Sequence, residues 1–158
     1  MKTLIAYATS HGSVGLCAEK LSAQLGGETI VVDLKKDKAP DLAGFEAIIV
    51  GGSIHAGKIQ KAVQSFCASH LAELKAKKLG LFLCHMEEGE KAEAEFRASY
   101  PAELIEQAAA TGLFGGIFDF DKMNFLERAI IKKISGVTET IVKIREDEIG
   151  TFAEKMKA

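Results

Sequence analysis

Apolar runs recur along this chain, each closed by a loop of small or polar residues and most followed by a stretch with helical spacing. Residues 2–8 (KTLIAYA) carry almost no polar alternation, as expected of a central strand buried on both faces. From Val14 the pattern changes. Cys17, Ala18, Leu21 and Leu25 fall three and four apart, which predicts an amphipathic helix. Gly26 and Gly27 end that helix, and residues 28–34 read as a second strand. Residues 45–53 predict a third strand, followed by a small-residue loop over 53–58. A helix is expected over 59–76, with Ile59, Ala62, Val63, Phe66, Cys67 and Leu71 inward. Residues 78–84 predict strand four and 85–89 a third loop; residues 90–110 are helical in pattern, interrupted near Pro101. Residues 111–118 read as strand five, weakened by glycines. The last helix spans 146–157, with Ile149, Phe152, Ala153 and Met156 on its core face.

Strands alternating with helices predict a single α/β domain over residues 1–158, built on a doubly wound, five-stranded parallel sheet of order 2-1-3-4-5. In that order the chain reverses direction between strands one and three. Their loops therefore flank one crevice at the carboxyl edge, where open α/β sheets bind ligands. Residues 122–145 are extra to this plan. They predict an inserted helix over 123–134, bearing Phe125, Leu126, Ile130, Ile131 and Ile134, then a stop at Ser135 and Gly136 and an exposed stretch over 138–142.

Composition narrows the function. The net charge of −2 lacks the broad basic excess of a general nucleic-acid binder, and so no nucleic-acid partner is expected. Charge is nevertheless polarised: residues 122–145 hold six Lys or Arg against Glu127 and Glu139, a local +4 that leaves −6 for the remainder. A basic helix with a wide apolar face suits a membrane surface, a hydrophobic quinone or an anionic tetrapyrrole, though a helix packed on its own domain carries the same stripe. No signal pattern or apolar span of membrane length occurs. Cys17, Cys67 and Cys84 are odd in number and form no C-x-x-C pair. They read as reduced packing thiols, which makes a cytoplasmic location the expectation. No metal-ligand cluster and no acid–base or nucleophilic constellation stands out.

The chemistry concentrates in the first loop. Thr9, Ser10, His11, Gly12 and Ser13 join strand one directly to helix one, so hydroxyls meet the unpaired N–H groups and positive end of a helix. That combination suits a phosphate monoester; the plainer alternative is that Ser13 merely caps the helix. A dinucleotide fingerprint fits poorly, because residues 9–15 lack the first glycine pair. A receiver site fits poorly as well, because the clustered acids it needs are missing. Gly52 to Lys58 matches G-x-x-x-x-G-K, but Ile59 follows where a hydroxyl should hold Mg²⁺.

The sequence Thr9-Ser-His-Gly-Ser-Val14 resembles the flavodoxin phosphate loop, S/T-x-T-G-N/S-T, with His11 and Val14 standing where hydroxyls are usual. Gly51-Gly-Ser-Ile-His-Ala-Gly57 and Leu126-Glu-Arg128 are further similar to features of the flavodoxin-type, menaquinone-dependent protoporphyrinogen oxidases. The resemblance implies FMN as cofactor, with its phosphate held by Thr9, Ser10, His11, Gly12, Ser13 and Val14. It implies an isoalloxazine edge along Ser53, Ile54, His55, Ala56 and Gly57, and a pyrimidine end covered by Cys84, His85, Met86 and Glu87. His55 and His85 could equally be solvated loop residues, and Cys84 a buried strand residue without a resolving thiol. The flavin would carry the chemistry, so no catalytic side chain is assigned. Implied partners are a redox protein or a quinone- or porphyrinogen-like substrate, with peripheral contact at the inner membrane face through residues 122–145. The reading is thus an FMN-binding oxidoreductase resembling protoporphyrinogen oxidase. Its alternatives are an electron-carrying flavodoxin and a flavin-free interaction domain of the same fold.

Overall fold

The apolar runs pair in parallel and wind in both directions from the first strand. The computed structural model describes residues 1–10, 12–55, 57–85, 89–118, 129 and 141–158. Strand β1 (Lys2–Tyr7) sits between β2 (Glu28–Asp33) and β3 (Ala47–His55), with Leu4 opposite Ile30 on one side and Ile48 on the other. Beyond β3 lie β5 (Lys78–Cys84) and β6 (Ala110–Leu113), which gives the parallel order β2-β1-β3-β5-β6. A two-residue strand, β4 (Lys58–Ile59), folds back antiparallel on the end of β3. With β4 set aside, this is the predicted doubly wound order.

Each face of the sheet is covered. Helices α1 (Ser13–Leu25) and α6 (Glu146–Lys157) bury Val14, Cys17, Leu21, Ile149, Phe152 and Met156 against Ile5, Ile49 and Phe82. On the other face, α2 (Lys61–Ser69), α3 (Leu71–Ala76), α4 (Gly89–Ser99) and α5 (Ala102–Gln107) cover Leu4, Ile48, Val50, Leu81 and Leu83. The Phe82 ring stacks on Phe114 at 4.7 Å and meets Phe152 edge-on at 6.2 Å, which centres the first of these cores.

Two predicted elements divide. The helix expected over 59–76 breaks at His70, whose backbone (φ −117°, ψ 21°) ends α2 and starts α3. Its ring lies 4.9 Å from Phe66 and its Nδ1 lies 3.0 Å from Glu73, so side-chain contacts hold the corner. The strand expected over 111–118 also splits. Phe114 turns fully inward, and β7 (Gly115–Phe118) leaves the main sheet to pair antiparallel with β8 (Ile141–Ile144). A Cβ at Gly115 would lie 1.8 Å from the Lys143 carbonyl oxygen, so only glycine admits this close pairing. The break near Pro101, between α4 and α5, falls where the ring forbids a continuous helix. The predicted inserted helix over 123–134 lies outside the described residues, save Ala129.

Candidate functional site

The loops after β1, β3 and β5 all leave the carboxyl edge of the sheet. Pairing continues to the rim, since the Ala8 N–H donates to the Gly51 carbonyl at 3.2 Å. The chain then turns at Gly12 (φ 91°), and the Gly12 N–H donates to the Thr9 hydroxyl at 2.9 Å. The carbonyl of Gly12 accepts the first helical bond, from the Leu16 N–H at 3.2 Å. It follows that the N–H groups of Ser13, Val14 and Gly15 have no acceptor within α1. Ser13 does not cap the helix: Gly12 is the cap residue, and Ser13 is the first helical residue and 7% exposed. Val14 is fully buried and packs in the core under α1 rather than lining the crevice with its side chain.

Electrostatics favour an anion at this point. The first turn of α1 carries no acidic residue, and Lys35 brings its ammonium to the loop by donating to the Thr9 carbonyl at 3.2 Å. Helix end, hydroxyls and lysine together form a donor set that fits a phosphate.

The second wall is the rim of β3. Ser53 and Ile54 are half-buried, His55 is exposed, and His55 pairs with Lys58 across a turn in which Gly57 has φ 79°. Among the described residues other than its chain neighbours, nothing lies within 4 Å of a Cβ placed on Gly57. Between the two walls lies Gln60, whose side chain contacts both Ser10 and Ser53.

The third wall begins at Cys84, which is buried, and its sulfur lies 3.5 Å from that of Cys17 on α1. The thiol contact with Cys17, reinforced by burial, holds the Cys84 proton well above the ordinary thiol range. A cysteine neighbour that the sequence spacing concealed is therefore present in space. His85 is not a solvated loop residue. Its side chain is 5% exposed, its Nε2 pairs with the Glu95 carboxylate of α4, and its N–H donates to the Gly115 carbonyl at 2.7 Å. Tyr7 lies beneath the first loop, and burial, aided by the carboxylates of Asp33 and Glu19, raises its hydroxyl pKa.

Thr9, Ser10, Gly12, Ser13, Val14, Ser53, Ile54, His55, Gly57, Cys84 and His85 thus all lie on these three loops or directly beneath them. His11, Ala56, Met86 and Glu87 lie outside the described residues. Sequence reading missed Lys35, Gln60 and Glu95. Gln60 and Glu95 begin or lie within helices where a polar residue is ordinary, and no motif marks them. Among the described residues no cluster of His, Cys, Asp and Glu could hold a metal, and no helix is long and apolar enough to cross a membrane.

Comparison with known proteins agrees with the fold. The flavodoxin domain model matches residues 4–142. The protoporphyrinogen IX dehydrogenase [quinone] of Leishmania major is 27% identical over 147 residues, covering 87% of this chain and 63% of its own. The chain thus spans 63% of the length of that relative. Among solved structures, two-electron reduced Megasphaera elsdenii flavodoxin superposes with a TM-score of 0.58 at 19% identity, over 99% of each chain. Flavodoxin 1 from Bacillus cereus gives 0.58 at 16% identity, over 99% of this chain and 97% of its own. These likenesses establish the fold.

Proposed function

Because this chain belongs to the flavodoxin family, whose cofactor is FMN, we propose that it is an FMN-dependent oxidoreductase that passes electrons from a porphyrinogen-like donor to a quinone. The observation that carries the enzymatic reading is the 27% identity to a quinone-linked protoporphyrinogen dehydrogenase. The flavin, when bound, supplies the two-electron chemistry. The helix-one N-terminus and Lys35 would hold the phosphate, Ser53, Ile54 and Gly57 would border the ring, and Cys84 and His85 would begin the wall at its other end. Glu95 keeps the His85 ring turned into the protein, so that the imidazole is held by α4.

A plain electron carrier is the competing reading. Residues 122–145, with their local charge of +4, favour the enzyme, because an anionic or membrane-held partner gains from such a patch. The test is porphyrinogen-dependent reduction of a menaquinone analogue in liposomes, run beside flavin affinity for wild type and Lys132→Glu/Lys133→Glu. Turnover in wild type, lost in the double variant while flavin stays bound, is the expected result. Absent turnover in a flavin-loaded wild type would leave the carrier.

A further inference from the structure

The crevice contains a side chain whose hydrogen bonds dictate the direction of two others. Gln60 immediately precedes α2, and its backbone carbonyl accepts from the N–H groups of Val63 and Gln64 at 3.1 and 3.2 Å. Its amide turns back under the rim of β3. There Oε1 accepts from the Ser53 N–H at 2.9 Å, while Nε2 lies 2.6 Å from the Ser53 hydroxyl and 3.1 Å from the Ser10 hydroxyl.

Donor chemistry settles the orientation of this amide. A backbone N–H can only donate, so the atom facing the Ser53 N–H is the carbonyl oxygen. The NH₂ group is then the atom facing both serines, and each of its two protons is used. A hydroxyl that accepts a proton from an amide keeps its own proton for another acceptor. Ser10 on the first wall and Ser53 on the second thereby each keep a proton that an acceptor in the crevice can take. Room for the amide comes from Gly52, where a Cβ would lie 2.9 Å from Oε1 and 2.7 Å from Ile59.

We propose that Gln60 is a positioning residue that fixes the proton direction of Ser10 and Ser53, so that the phosphate-side and ring-side walls both present hydroxyl donors to one acceptor-rich ligand. This rests on the FMN reading above and adds to it a residue outside all three loops. It also explains how the first loop keeps side-chain donors although Val14 is buried: the direction of Ser10 is imposed from across the crevice.

Gln60→Glu tests this with little change of shape. A carboxylate still accepts from the Ser53 N–H, but it also accepts from both hydroxyls and so captures their protons. FMN and riboflavin affinities, read by quenching of flavin fluorescence, are measured for wild type, Ser10→Ala, Gln60→Glu and the double variant, with thermal melts of each apoprotein. In the Gln60 background, Ser10→Ala should weaken FMN about tenfold, as for loss of a hydrogen bond to a charged group, and leave riboflavin unchanged. In the Gln60→Glu background the same serine substitution should change FMN affinity by less than about twofold, because its proton is already taken. Simple charge repulsion between the introduced carboxylate and the phosphate predicts instead the full tenfold effect in both backgrounds, and that result would overturn the proposal. So would an unchanged FMN affinity in Ser10→Ala. Should Gln60→Glu melt well below wild type, Gln60→Met carries the same cycle without added charge, and again an undiminished serine effect refutes the coupling. A wild type that binds neither flavin would overturn the proposal together with the FMN reading; flavin binding with additive effects would overturn the proposal alone.

Discussion

Ser13 illustrates how one residue's place decides its use. Buried to 7% exposure at the first turn of α1, with its N–H lacking a helical acceptor, it offers both backbone and hydroxyl donors at one point. Ser13→Ala should therefore weaken FMN by about 1–2 kcal/mol, the ordinary worth of a hydrogen bond to a charged group, as read by apoprotein titration. Equal affinity would place the phosphate elsewhere. Cys67 is a residue of the opposite kind, inward on α2 and remote from any ligand role. Burial pushes its thiol up to about 12 from an ordinary 9.0. The native state thus retains a proton that the unfolded chain releases. Its stabilising contribution is complete below about pH 9 and is lost as the pH rises towards 12. Denaturation midpoints measured from pH 8 to 11 should fall more steeply for wild type than for Cys67→Ala, by at most ~1.4 kcal/mol per pH unit from this one proton. Parallel slopes would refute the assignment.

Between elements, β3 fits tightly against the ring of Phe82. A Cβ on Gly51 would lie 2.0 Å from the Phe82 ring, which is itself fully buried and stacked on Phe114. The ring has nowhere to retreat. Gly51→Ala should cost about 1–3 kcal/mol by overpacking, lowering Tm by several degrees, and Phe82→Leu should restore part of the loss in the double variant. An unaltered melt would mean that the sheet yields. Elements of this kind were largely legible in advance, because uninterrupted apolar runs and three-and-four spacing report burial directly. β5 and α6 appear with the boundaries their patterns predict. The breaks at His70 and Phe114 were not legible. The His70 corner depends on how its ring meets Phe66 and Glu73, neighbours that suit a continuous helix equally well, and the Phe114 turn on contacts distant in sequence, with Phe82 and Phe152. The site divides in the same way. Its three loops could be read from local residue type. Lys35, Gln60, Glu95 and the Cys17–Cys84 contact could not, since each joins segments that only the folded sheet brings together.

For the whole molecule, the second small sheet has a consequence beyond fixing the rim. Phe118 and Ile141 are paired residues at the open end of β7 and β8, while Gly115 and Ile144 close the other end against the main fold. The chain therefore leaves and returns at a single point, and residues 119–140 are in engineering terms a cassette. Replacing them with an Asn-Gly turn should complete an ordinary hairpin. The trimmed protein should melt as one unit and titrate FMN as wild type does, while the porphyrinogen-dependent quinone reduction proposed above is lost. Loss of flavin binding would show instead that the segment completes the cofactor site. The hairpin also suggests a route by which new specificity can be acquired: a length of chain inserted at one turn leaves the register of every other strand intact, so a carrier and an enzyme can differ by a graft.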